Sequence, residues 1–130
     1  MSDRTMARER ALELLYEADA KSSSIGDVLA ALPVPPDAYA VDAVTGVTEH
    51  AARIDGLIGK LAPDWPIERM PTVDRAVLRL AVYELAERPD VPTAVILDEA
   101  VALAKRYSTE ESGRFVNGVL ASAARELRPG

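Results

Sequence analysis

Cysteine is absent from the 130 residues, and histidine, phenylalanine and tryptophan occur once each. Without a thiol there is no disulfide framework, no thiolate zinc site and no cysteine nucleophile. His50 has Glu49 beside it and Asp55 five residues on, but no ligand cluster or nucleophile completes a metal site or triad at a recognisable spacing. The neighbouring carboxylates Asp98-Glu99 and Glu110-Glu111 diverge by about 100 degrees around a helix and do not share a site. No glycine loop of the phosphate-cradling pattern is present. An enzyme is therefore not expected, nor a metal or any other cofactor. Apolar runs such as Thr93 to Leu97 fall far short of the ~18 residues of a membrane helix. Arg8, Glu9, Arg10, Glu13 and Glu17 interrupt the stretch where an export signal would need its apolar run. A soluble, cytoplasmic chain is expected.

Positive charge is also in short supply, with 15 Lys and Arg against 21 Asp and Glu, a net charge of −6. Affinity for nucleic acid comes from neutralised phosphates, so any RNA site on this chain must be a local patch.

What is abundant is Ala, Leu and Val, while alternating strand-like runs joined by two-residue hairpin signals are missing; this predicts an all-α protein. The length suits a single domain over residues 1–130. Prolines at 33, 35, 36, 63, 66, 71, 89 and 92 fall between periodic segments and divide the chain into about seven helices. The first runs from about Thr5 to Ala20, with Ala11, Leu12, Leu15 and Ala18 on its buried face. Ser24 and Asp27 form a capping-box-like start to a short helix through Ala31. From Asp37, a seam of Ala40, Val44, Val47, Ala51, Ile54, Ile58 and Leu61 continues as one helix, or as two if it breaks among the weak helix formers between Gly46 and His50. A connector with a single turn at Ile67 to Met70 leads to Thr72 to Glu87, apolar nearly all round, the mark of a central helix. Pro92 opens a helix reaching Tyr107, and Ser108 or Thr109 caps a last one to about Leu127.

Several residues suggest binding, each with a plainer alternative. Arg4, Arg8 and Arg10 suit contacts to phosphates or unpaired bases, or else a solvated helix start diluted by Asp3 and Glu9. Arg114 beside Phe115 joins a cation to a flat ring, the pair that grips a phosphate and stacks a base, although spacing alone assigns Phe115 to the core. Gly118 inside a helix costs about 1 kcal/mol against alanine, which points to a closely approaching neighbouring helix, and Asn117 beside it to a structural hydrogen bond. Tyr16 and Asp74 are polar tips on apolar helices, fitting an interface rim or else ordinary surface or helix-start positions, Asp74 suiting the N-terminal dipole.

The blocks Val73-Asp74-Arg75-Ala76-Val77-Leu78-Arg79-Leu80, Asp90-Val91-Pro92 and Phe115-Val116-Asn117-Gly118-Val119-Leu120, with Ala7-Arg8-Glu9-Arg10-Ala11 at the start, resemble the NusB family of transcription antitermination factors. The likeness extends over nearly the whole chain. It implies two small helical bundles packed together and a non-enzymatic protein. It also implies binding, with the ribosomal protein NusE, to single-stranded boxA-type leader RNA within the RNA polymerase antitermination complex, in support of ribosomal RNA transcription. By position, Arg4, Arg8 and Arg10 stand in the family's basic N-terminal segment, and Arg114 and Phe115 in its C-terminal RNA-contacting stretch, the two forming one RNA face. Tyr16 and Asp74 match positions on the NusE-facing side, and Glu111 an acidic position tied to antitermination. Some relatives dimerise, so a homodimer is a further expectation. Family members often carry a longer arginine run, so this N-terminus is expected to depend on NusE for RNA affinity. The competing reading is a helical interaction module that docks a basic partner without touching RNA. A ribosomal RNA cytosine methyltransferase is disfavoured, as no cysteine nucleophile or cofactor-binding βα unit is present.

Overall fold

The computed structural model describes residues 3–130, and every regular element among them is helical. The helices are α1 (Asp3–Lys21), α2 (Ile25–Ala30), α3 (Ala38–Glu49), α4 (Ala51–Leu61), α5 (Thr72–Glu87), α6 (Thr93–Tyr107) and α7 (Glu110–Leu127), with one 3-10 turn at Ile67–Arg69. No described helix is long and apolar enough to cross a membrane.

Side-chain chemistry accounts for most of the boundaries. Ser24 caps α2 by accepting from the Asp27 amide at 3.0 Å, Asp37 caps α3 through the Tyr39 amide at 2.8 Å, and Thr109 caps α7 through the Ser112 amide at 3.0 Å. α1 stops at Ser22, whose φ of 52° is left-handed, while the Ser23 amide reaches back to the Ala18 carbonyl at 2.9 Å. The long seam does break, at His50. Ala40, Val44 and Val47 are buried before the break and Ile54 and Ile58 after it, whereas Ala51 at the joint is exposed. Weak helix propensity is not what distinguishes Gly46, as a Cβ there would lie 2.1 Å from the Tyr83 ring, so α5 crosses α3 only because Gly46 is bare.

Helix α5 is the shared spine. Val77, Leu78, Leu80, Ala81, Val82 and Leu85 are all buried, while Arg75, Arg79 and Glu87 of the same helix are half-buried and ion-paired. α1, α2 and α3 pack together on part of it as one small bundle, and α4, α6 and α7 pack on it as a second. Its C-terminal end is closed from outside. Arg128, just past α7, donates to the carbonyls of Glu84, Leu85 and Arg88 at 2.8 to 3.2 Å, and to the Val91 carbonyl and the Thr93 hydroxyl at 2.7 and 3.1 Å. Leu85 is among the carbonyls that a helix end leaves unpaired, while those of Glu84 and Arg88 also accept from the Arg88 and Val91 amides.

Candidate nucleic-acid interface

The N-terminal arginines are separated by the geometry of their helix. Residues two apart are turned by about 200 degrees, so Arg8 and Arg10 cannot share a face. Arg8 is 1% exposed and points into the molecule. Its Nε donates to both oxygens of Glu84, at 2.9 and 3.1 Å, and its Nη1 is 3.6 Å from Glu99. Tyr39 donates its hydroxyl to the same Glu84. Burial alone would lower the Arg8 pKa, but the Glu84 carboxylate, helped by Glu99, outweighs it and raises it. The Tyr39 phenol is pushed up by burial first and by Glu84 next, so it stays a donor. The expectation that Arg8 meets RNA is therefore corrected, because its guanidinium neutralises a carboxylate that is itself 1% exposed. Arg4 remains at the surface, its guanidinium 3.9 Å above the Tyr39 ring, and Arg10 is a surface cation 3.5 Å from Glu13.

At the start of α7, Arg114 is exposed and Phe115 half-buried. Phe115 packs on the core edge and on Trp65 of the connector, with ring centroids 4.7 Å apart and planes tilted by 49°. The reading of Phe115 as plain core thus captures half of its position. Trp65 donates its indole N–H to the Arg69 carbonyl at 3.2 Å, which fixes the ring, and remains 37% exposed. Trp65, Arg114, Phe115 and Gly118 line one open cleft of about 470 Å³. Sequence reasoning passed over Trp65, although a lone tryptophan between two prolines in a connector was a signal. Two further expectations fail here: no helix approaches Gly118, around which a Cβ would meet nothing within 4 Å, and Asn117 is exposed rather than a buried structural donor.

The remaining cations are mostly neutralised. Arg53 pairs with Glu87, Lys60 with Glu126, Arg75 with Asp19, Arg79 with Asp55, Arg88 with Asp42 and Asp90, and Arg106 with Glu9. Among the described residues, the exposed arginines with no carboxylate in ion-pair range are Arg4, Arg69, Arg114 and Arg125. Arg4 and Arg10 belong to α1, and Arg114 and Phe115 to the start of α7, so the two basic regions stand on different helices.

A different surface carries Tyr16. With Leu12, Val73 and Tyr107 it lines a cleft of about 440 Å³ rimmed by Glu13 and Glu17. Glu111 is exposed in the first turn of α7. Asp74 is 1% exposed, so it is not itself a contact surface; it lies in the first turn of α5, where the helix dipole favours a carboxylate.

Comparisons with known proteins identify the family of the chain. A model described as the NusB family matches residues 5–125. The chain belongs to the NusB family. It is 50% identical to the transcription antitermination protein NusB of Sorangium cellulosum, the alignment covering 98% of this chain and 95% of that one. Among solved structures, T. maritima NusB superposes with a TM-score of 0.87 at 34% identity, covering 98% and 94% of the two chains. A second is a crystal structure of the antitermination factors NusB and NusE in complex with dsRNA, with a TM-score of 0.77, 30% identity and coverage of 95% and 96%. The expected all-α NusB architecture is thereby established for this family member.

Proposed function

We propose that this protein is a cytoplasmic RNA-binding antitermination factor that joins NusE on boxA-type leader RNA and supports processive transcription of ribosomal RNA operons as part of the RNA polymerase antitermination complex. The observation that carries the reading is the exposed, carboxylate-free Arg114 beside the Trp65 and Phe115 rings, on a surface where most other cations are paired. A guanidinium next to exposed aromatic faces suits a single-stranded backbone and its unstacked bases. Membership of a family with a relative crystallised with NusE and RNA supports the same reading. In it, Arg4, Arg10, Arg114 and Phe115 contact RNA, and Arg8 acts indirectly by holding the start of α1 on Glu84. The apolar cleft at Tyr16, rimmed by carboxylates, suits a basic protein such as NusE, with Glu111 adding charge and Asp74 supporting the start of α5.

The test is a titration of labelled boxA-type RNA at two salt concentrations, with and without NusE. Binding should tighten when NusE is present. Arg114→Ala should weaken it and flatten the salt dependence by about 0.7 of a log unit per log unit of salt, the share of one lost phosphate contact on a single strand. Unchanged affinity and slope in both Arg10→Ala and Arg114→Ala would leave the protein as an interaction module that only its partner carries to RNA.

A further inference from the structure

The chain contains one asparagine and no glutamine, so Asn117 carries its only side-chain amide. The residue that follows it is Gly118. Glycine has no Cβ to crowd the small ring that forms when a main-chain nitrogen attacks the side-chain carbonyl before it, which makes this dipeptide the one most open to that attack. Both residues are exposed, and a Cβ at Gly118 would meet nothing within 4 Å. What restrains them is α7 (Glu110–Leu127) itself. Its ladder engages the Gly118 amide, and a helical ψ of about −42° turns that nitrogen away from the Asn117 side chain. The acidic counterpart, Asp55-Gly56 in α4, is held differently: Asp55 accepts from Nε and Nη2 of Arg79 at 2.8 and 2.9 Å, and an ionised carboxylate has no leaving group comparable to ammonia.

We propose that Asn117-Gly118 is a self-modifying site, deamidated when α7 opens locally, and that the carboxylate so formed pairs with Arg114 and withdraws it from phosphate. The chemistry stands on the dipeptide alone, whereas the effect on Arg114 rests on the RNA-binding reading above. The Gly118 nitrogen attacks Cγ of Asn117; the N–Cγ bond forms, the Cγ–Nδ2 bond breaks, and Nδ2 departs as ammonia with the proton that Gly118 loses. Water then opens the imide. Cleavage of its bond to Cγ restores the main chain with aspartate at 117, and cleavage of its bond to the main-chain carbonyl carbon leaves isoaspartate, with an added methylene in the backbone. One water is consumed and one ammonia released. Arg114 stands three residues before Asn117, on the same strip of the helix surface, and has no carboxylate in ion-pair range. Aspartate at 117 supplies that missing partner. Arg4, Arg69 and Arg125, the other exposed arginines without one, have no amide within a turn, as the chain has no other.

The chemistry is tested by holding the full-length protein at mildly alkaline pH, folded and in urea, and following intact mass and peptide maps. With a single side-chain amide present, a gain of about 1 Da, NH2 exchanged for OH, belongs to Asn117. The gain should appear in urea, should be suppressed there by Gly118→Ala, and should run about ten- to a thousandfold slower in the folded chain, the span of local rather than global opening. Equal rates in the two states, no gain in the folded chain, or a chain that stays unchanged in urea overturns the site. The effect is read separately, from labelled boxA-type RNA with NusE present. Asn117→Asp should weaken binding about two- to fivefold, the scale of a surface ion pair, and should have no further effect in an Arg114→Ala background. An Asn117→Asp protein that binds as tightly as the parent, or equal losses in both backgrounds, overturns the pairing with Arg114 and leaves the RNA-binding reading intact. Absence of RNA binding by the parent overturns that reading and the effect on Arg114 together, and the mass gain still decides the chemistry.

Discussion

Arginine performs opposed tasks at positions 8 and 10, two residues apart. Buried Arg8 compensates Glu84, and removing one member of such a pair leaves the other charged and dry. Arg8→Ala should therefore cost about 3–5 kcal/mol in a denaturant titration, whereas Arg10→Ala, at the surface, should move stability by less than about 0.5 kcal/mol. An Arg8→Ala protein as stable as the parent would refute the buried pairing. Any loss of RNA binding in that variant is then a folding effect, so Arg10 is the residue to use in binding experiments. This distinction was not legible in the sequence. The spacing of Arg4, Arg8 and Arg10 describes a cationic helix start, and only Glu84, 76 residues away from Arg8, reveals that one of the three is structural. Asp74 was half legible, since the sequence suggests its place at a helix start and only the closed fold shows that it is buried.

Helices were legible where local chemistry decides them. Proline breaks and the caps at Ser24, Asp37 and Thr109 are short-range signals, and α5 and α6 begin and end close to where the apolar pattern places them. What depended on a crossing partner was less readable. The joint between α3 and α4 was anticipated from weak helix formers, but Gly46 is there because Tyr83 of α5 occupies the space its side chain would take. Gly118, read as a packing glycine, faces open space instead. Gly46→Ala gains about 1 kcal/mol of helix propensity yet forces a carbon into an aromatic ring, a clash that costs on the order of 1–3 kcal/mol or more in a packed core. The net result should be a lower urea midpoint with an unchanged slope, and loss of the Tyr83 hydrogen bond to Asp42 if the ring is displaced. A raised midpoint would mean that α3 and α5 can separate without penalty.

The whole molecule combines an acid-rich surface with phenols held in their neutral form. Burial, then the nearby Asp42, pushes the Tyr83 phenol up to about 12; Tyr39 and Tyr107 are shifted in the same direction, each by burial and a carboxylate. An unfolded tyrosine ionises near pH 10. Below about pH 10 these phenols are protonated in both states and their contribution is complete; as pH rises toward 12 the unfolded chain loses protons that the folded one retains, and stability falls. The melting temperature should decline from about pH 10 upward, and Tyr83→Phe should decline less steeply. Equal slopes for the two proteins would exclude Tyr83 as a source.

At this same scale, Arg128 joins parts of the molecule that lie far apart in sequence. One guanidinium, 40 positions beyond Arg88, reaches the end of α5, the turn that follows it and the Thr93 hydroxyl at the start of α6. A single side chain past α7 thus ties three helices to one corner.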